Sequence, residues 1–252
     1  MIRLSPFVLV LALAAAGCGG SGSSVVSDTG KNLGKIRSGV LDLKLMVTPR
    51  DGGKPFGFEL KGPFSLSGPK LVARIAYTQI ANGASATATL VSDGRRAWIV
   101  SDQGTRSLSS AQAQSVRASL GGPGGLGGFD IGSWIRDANV VDGPRGTERV
   151  RGTLDVVAVT NGLSGVAALA GRNVATIEGD DAKRLRDATR SSSVELLTSK
   201  HDRLLRRLQL SADLGFDVPA SLSNALGTRV GAKIEFLLAV ARPNSRVVVQ
   251  AP

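Results

Sequence analysis

The 252-residue chain has few of the residue types from which most catalytic and metal sites are built. It contains one cysteine, Cys18, and one histidine, His201. These two residues cannot form an intramolecular disulfide or supply the ligands of a common zinc site. No Gly-x-Ser-x-Gly elbow accompanies His201, and its polar neighbours predict a turn. We therefore expect no enzyme, no metal and no cofactor, and a hydrolase is the weakest of the functions considered.

Two other local patterns also fall short of a binding motif. Glu178, Asp180 and Asp181 are close enough in sequence to suggest a Ca²⁺ site, but their spacing matches no known cation loop. Acidic residues are also favoured at a helix N-terminus, and we predict that role here. The glycine-rich run 121–128 lacks the Lys-Ser/Thr pair of a phosphate-binding loop, so we predict an ordinary loop.

Aromatic and acidic residues are scarce. Aromatic residues make up 4% of the chain, and 31 Lys and Arg against 20 Asp and Glu give a net charge of +11. With so few rings available for base stacking, nucleic acid is a poor candidate partner. The basic charge indicates either attraction to anionic lipid headgroups or a solvated surface of scattered cations.

The N-terminal apolar run is too short to cross a membrane, which takes about 20 residues. Arg3 precedes this run at residues 7–13, and the small residues 15–17 follow it. This arrangement is typical of a cleavable export signal. We predict a signal peptide over residues 1–17.

Cleavage after residue 17 would make Cys18 the new N-terminus. The run Ala15-Ala16-Gly17-Cys18 resembles the bacterial lipobox, in which that cysteine receives a diacylglyceryl group. Two or more acyl chains anchor a protein stably, whereas an unmodified thiol would be a leftover without a role. We predict an exported protein, held on the outer face of the cell membrane by a lipid on Cys18. Residues 18–35 are predicted to be a flexible tether because they open with Gly and Ser.

Residues 36–252 are predicted to form one domain that begins and ends with strands. Alternating apolar residues bounded by turn signals predict antiparallel strands at 41–47, 56–66, 71–77, 85–91 and 95–100. Helices are predicted at 107–120, 131–137, 154–170 and 180–189, the third broken at Asn161-Gly162. Further strands are predicted at 148–153, from Ser193 onward, and last at 247–249. This order favours an α+β domain with helices on one sheet face.

Several segments resemble the LppX/LprG-type lipoproteins of actinobacteria, which share a fold with the LolA/LolB lipoprotein carriers. They are the strand opening Ser-Gly-Val-Leu-Asp-Leu-Lys-Leu at 38–45, Trp-Ile-Arg-Asp at 134–137 leading into 146–152, Leu-Leu-Arg-Arg-Leu at 204–208, and the ending at 243–252. The resemblance implies a curved antiparallel half-barrel sheet with helices packed on its concave face. It also implies an apolar cavity that binds or carries acylated lipid at the cell envelope.

The leading hypothesis is therefore a lipid-binding lipoprotein that buries acyl chains against the concave sheet face. The candidate lining residues are apolar positions on predicted strands and on the third predicted helix: Leu43, Leu45, Phe58, Leu60, Ile234, Phe236 and Leu238, facing Val156, Val159, Leu163 and Val166. The alternative is a non-enzymatic envelope module that binds a protein partner without a ligand. Ordinary core packing explains the same apolar pattern.

Overall fold

The computed structural model describes residues 22–50, 52–121, 128–169, 176–217 and 229–252, which form eleven strands and five α-helices. The strands are β1 (Ser38–Pro49), β2 (Phe56–Ser65), β3 (Val72–Ala81), β4 (Ala84–Asp93), β5 (Ala97–Ser101), β6 (Gly104–Ser107), β7 (Ile135–Asp142), β8 (Thr147–Leu154), β9 (Thr189–Ser199), β10 (Leu205–Asp217) and β11 (Arg229–Ala241). The helices are α1 (Gly22–Asn32), α2 (Ser110–Gly121), α3 (Ile131–Trp134), α4 (Val156–Leu169) and α5 (Gly179–Ala188).

All described strands belong to one open antiparallel sheet with the order β6-β5-β4-β3-β2-β1-β11-β10-β9-β8-β7. In each half of the chain, consecutive strands lie side by side in the sheet, although β8 and β9 are joined through α4 and α5 rather than by a hairpin. The two halves meet in the middle, where Val40–Pro49 of β1 pairs with Ala232–Ala241 of β11. The predicted α+β fold, one antiparallel sheet with helices, is confirmed.

One face of the sheet is apolar across its full central width. Because side chains alternate along a strand, residues paired across neighbouring strands point to the same face. One such row runs through seven strands: Tyr77, Leu60, Leu43, Leu238, Leu208, Leu196 and Val150. Leu43, Leu238, Leu208, Leu196 and Val150 are fully buried in this row. The row forms the floor of the hydrophobic core.

Helices α1, α3 and α5 pack against β7 to β10, and α4 packs against α3 and α5. Helix α1 packs against β7 and β8 and buries Val25, Val26 and Thr29. The prediction of a flexible tether over 18–35 is therefore wrong for residues 22–35. A composition rich in Gly and Ser indicated a linker, but two buried valines and a buried threonine attach this segment to the sheet.

Other boundaries also differ from the predictions. Residues 135–137, predicted as helix, open the strand β7, and residues 247–249 adopt no regular strand. The C-terminal segment instead binds the start of β1, where Asn244 N–H donates to the Ser38 carbonyl at 2.8 Å. The strand at 148–153 and the helices at 107–120, 154–170 and 180–189 are confirmed within a few residues as β8, α2, α4 and α5.

Helix α4 is continuous through Asn161 and Gly162, so the predicted break is wrong. For each of the two residues, a tertiary contact explains why the helix continues through it. Asn161 accepts from the N–H of Ile177 at 2.8 Å and donates to its carbonyl at 3.1 Å, which joins α4 to the segment before α5. Gly162 lies against the indole of Trp134, where a Cβ would come within 2.5 Å of a ring atom.

Candidate functional site

The candidate lining residues on the strands lie on the same sheet face. Leu43 pairs with Leu60 and Leu238, and Leu45 pairs with Phe58 and Phe236. Ile234 is the next residue on this face along β11. The structure therefore brings the strand candidates together in three adjacent rows.

Burial decreases along β1 and β11 toward the β1–β2 hairpin. On β11, Leu238 and Phe236 are buried and Ile234 is half-buried; on β1, Leu43 is buried and Leu45 is half-buried. One row further, Phe56 pairs with Val47 and is 48% exposed. The apolar face of the sheet is therefore longer than the tightly packed core, and its uncovered end consists of large apolar side chains.

Helix α4 brings its candidates to the same apolar cluster. Val156 is buried in the cluster, and Val159 and Leu163 pack against it half-buried. The side chain of Val166 lies outside the described part of the chain. Facing residues of α4 and the sheet are thus in one continuous apolar region.

The apolar region includes residues that sequence reasoning missed. Tyr77 and Leu90 of the sheet and Val116 and Leu120 of α2 are half-buried at its margin, and Phe129 lies within it. Phe129 contacts Trp134 at a ring-centroid distance of 5.4 Å and Phe236 at 6.3 Å. The alternation in β3 and β4 placed Tyr77 and Leu90 on one face, which was a usable signal. Nothing local indicated the position of Phe129.

An N-terminal cap fixes the start of α4 over the sheet. The Asp155 Oδ1 accepts from the N–H of Ala158 at 3.0 Å, and Oδ2 accepts from Arg136 at 2.9 Å. Burial raises the pKa of Asp155, but the Ala158 hydrogen bond and the Arg136 guanidinium outweigh it. The pKa of this carboxyl is therefore below its ordinary value, so the cap is charged at neutral pH.

The remaining candidate groups occupy structural positions. His201 lies in the turn between β9 and β10, and Asp180 and Asp181 lie in the first turn of α5. No cluster of potential metal ligands occurs among the described residues. Within the same residues, no helix has the length and hydrophobicity needed to cross a bilayer. Cys18 and residues 1–17 are outside the described ranges, as are residues 122–127 of the glycine-rich run.

Comparison with solved structures finds similar chains among lipoproteins. The chain is similar to LprF from Mycobacterium bovis, with 12% identity and a TM-score of 0.48 over 92% of this chain and 96% of that one. It is also similar to lipoprotein LppX from Mycobacterium tuberculosis, with 11% identity and a TM-score of 0.37 over 91% of this chain and 98% of that one. A DUF1329 family protein from Desulfovibrio piger is similar with 11% identity and a TM-score of 0.22 over 89% of this chain and 93% of that one. LprF and LppX are of the lipoprotein type that the sequence motifs resemble.

Neither a protein-family profile nor a curated protein matches the sequence.

Proposed function

We propose that the chain is an exported lipoprotein, anchored by an acylated Cys18, that binds acyl chains of a lipid on the apolar face of its sheet. Residues 1–17 would be removed as a signal peptide, and residues 18–21 would link the lipid to α1. The observation that carries the lipid-binding part is the decrease in burial along β1, from Leu43 to Leu45, and along β11, from Phe236 to Ile234, toward the exposed Phe56.

An acyl chain would continue the core where the protein's own side chains leave it half-covered. Leu45, Leu60 and Tyr77 pack against the core yet retain accessible surface on the half of the sheet away from α1. Covering such surface contributes about 25 cal/mol per Å², or about 0.8 kcal/mol for each buried CH₂. A chain of a dozen methylenes therefore gains enough to offset its ordering.

A ligand site of this kind needs no catalytic group. The half-buried residues at its margin, Leu90 on β4 with Val116 and Leu120 on α2, are also apolar. Apolar walls bind acyl chains without recognising a particular functional group, which is consistent with binding or carriage rather than reaction.

Mass spectrometry of the mature chain, purified in a non-ionic detergent, tests both parts of the proposal. A denaturing spectrum should show a covalent diacylglyceryl mass at the N-terminal Cys18, and Cys18→Ala should lack it. A native spectrum should add a noncovalent adduct of lipid mass. An unmodified N-terminus would refute the anchor. A chain that stays free of lipid after incubation with phospholipid would refute the ligand and favour the protein-binding module instead.

A matched pair of substitutions tests where the lipid lies. Leu45 and Met46 are both half-buried neighbours on β1, but they point to opposite faces of the sheet. Leu45→Asp should abolish the lipid adduct because it places a charge on the apolar face, whereas Met46→Asp should retain it. Urea unfolding of both variants measures the stability cost separately. Equal loss of lipid in the two variants would contradict the proposed face.

A further inference from the structure

A basic groove of about 320 Å³ lies beside the apolar region, between the β4–β5 hairpin, the β2–β3 loop and the start of α2. Lys70, Arg95, Arg96 and Arg117 line it. No carboxylate is among the described residues that line the groove. Four cations around one concavity raise the local concentration of anions and favour a bound negative group.

Backbone hydrogen bonds fix the hairpin that carries two of the groove cations. Asp93 accepts from the backbone N–H groups of Arg95 and Arg96 at 2.7 and 2.8 Å, which fixes the β4–β5 hairpin. The backbone hydrogen bond from Arg96 lowers the pKa of the Asp93 carboxyl most, the one from Arg95 lowers it further, and the pKa is below its usual value. Asp93 is therefore ionised, but its single negative charge does not balance the four positive charges that line the groove.

Arg117 lines the groove from α2, and the β2–β3 loop holds part of its guanidinium. Its Nη2 donates to the Gly68 carbonyl at 2.9 Å, which orients the guanidinium at the β2–β3 loop. Its Nε is buried and has no acceptor among the described residues, so a ligand in the groove would contact other N–H groups of the guanidinium. A guanidinium offers several donors in a planar fork, the geometry that phosphate oxygens accept best.

The start of α2 adds polar groups that also favour a bound anion. Ser109 and Gln112 form a capping box: the Gln112 N–H donates to Ser109 Oγ at 3.2 Å, and the Ser109 N–H donates to Gln112 Oε1 at 2.9 Å. Ser110 begins the helix beside the groove, so the positive end of the helix dipole faces it. The dipole supplements the four cations and does not replace them.

The groove continues into the apolar region. Ser92 lines the groove, and Leu90, two residues earlier on the same sheet face, packs half-buried against the core. On α2, Arg117 lines the groove while Val116 and Leu120 pack against the core. A ligand that reached both places would carry an anionic group at one end and apolar chains at the other.

We propose that this groove binds the phosphate group of an anionic ligand, and that the ligand is the lipid whose acyl chains lie on the apolar face. The lipid source of the phosphate rests on the function proposed above, whereas binding of a phosphate group at the four cations does not. A soluble phosphate monoester would use the same contacts.

Two variants that remove equal charge test the groove. Arg95→Gln with Arg96→Gln removes two exposed groove cations, and Arg145→Gln with Lys200→Gln removes two exposed cations from the distant β7–β8 and β9–β10 turns. The mature chain in non-ionic detergent is incubated with equal amounts of dioleoyl phosphatidylglycerol and dioleoyl phosphatidylcholine, and native mass spectrometry measures the ratio of the two adducts. Calorimetry with glycerol 1-phosphate measures binding of the phosphate group alone.

The wild type and the distant variant should prefer the anionic lipid, and the groove variant should lose that preference by roughly tenfold, a change of about 1.4 kcal/mol. Binding of glycerol 1-phosphate without any lipid adduct, lost in the groove variant, would support the phosphate site and refute the lipid function. Lipid uptake without preference and without glycerol 1-phosphate binding would overturn the groove and leave lipid binding standing. Equal effects in both variants would also overturn it, because net charge would then explain them.

Discussion

Replacing Gly162 with alanine should destabilise the protein, although alanine is the better helix former. Gly162 is the seventh residue of α4, which begins at Val156. An alanine Cβ there would lie 2.5 Å from Cζ2, 2.6 Å from Nε1 and 2.7 Å from Cε2 of Trp134. Carbon atoms in good contact are about 3.5–4.0 Å apart, so all three distances are strongly repulsive.

The magnitude follows from two opposing effects. In an unobstructed helix interior, alanine is favoured over glycine by about 1 kcal/mol. Overpacking a dense core costs about 1–3 kcal/mol and sometimes more. Trp134 is 1% exposed and packs against Phe129, so the indole has no open space into which to move. The steric cost should exceed the helix gain, and we expect a net loss of about 1–2 kcal/mol.

Urea unfolding followed by circular dichroism measures this loss, with Gly34→Ala as the control. Gly34 lies in the short 3₁₀ helix after α1, where a Cβ would meet nothing within 4 Å. Gly34→Ala should be neutral or stabilising by about 0.4–1 kcal/mol, because alanine restricts the unfolded chain. In a Trp134→Leu background, Gly162→Ala should lose most of its cost, since the clashing ring atoms are gone. If Gly162→Ala stabilises the wild type as Gly34→Ala does, the close packing of α4 on Trp134 is refuted.

Two further substitutions test the placement of the helices. Asp155→Asn keeps a capping side chain but removes the charge that Arg136 contacts, so it should lower stability at pH 7 by less than about 1 kcal/mol. Because the pKa of Asp155 is lowered in the folded state, its contribution to stability is present above about pH 4 and is lost as the pH falls through the folded pKa. The difference in stability between Asp155→Asn and wild type should therefore vanish at low pH in acid unfolding curves. A difference that persists at low pH would contradict the charged cap. Thr29, fully buried on α1, lies 2.8 Å from the Val25 carbonyl oxygen and 3.0 Å from Thr198 Oγ1, so Thr29→Val should cost about 1–2 kcal/mol in thermal unfolding. An unchanged melting temperature would indicate that α1 is a tether after all.

The strands that sequence reasoning located best are those with one buried and one solvated face. In β1 and β2, apolar and polar residues alternate, and turn signals bound each strand. That pattern depends only on neighbouring residues, so it is readable without the fold. It also placed Leu43, Leu45, Phe58 and Leu60 on a single face, which the pairing of β1 with β2 confirms.

The strands that were missed lie at the two sheet edges. Strand β6 is exposed along its whole length, and β7 is exposed at most positions. An edge strand without a buried face has no period of two to detect, and hydrogen bonds from its single neighbour hold it. Helix α1 was missed for another reason: its Gly and Ser residues gave it the composition of a linker, although it buries Val25, Val26 and Thr29.

The sequence by itself determined the local properties: the alternation of the central strands, the helical character of α2, α4 and α5 and the scarcity of catalytic side chains. Only the tertiary structure decided which strands adjoin, because the pairing of β1 with β11 joins segments almost two hundred residues apart. It also decided that Gly162 continues a helix and that Lys70, Arg95, Arg96 and Arg117 line one groove. The physical reason is that the direction in which successive side chains point repeats with the local backbone conformation, so it can be read from neighbouring residues. A site is formed by contacts between segments that are distant in sequence, and no local pattern encodes those contacts.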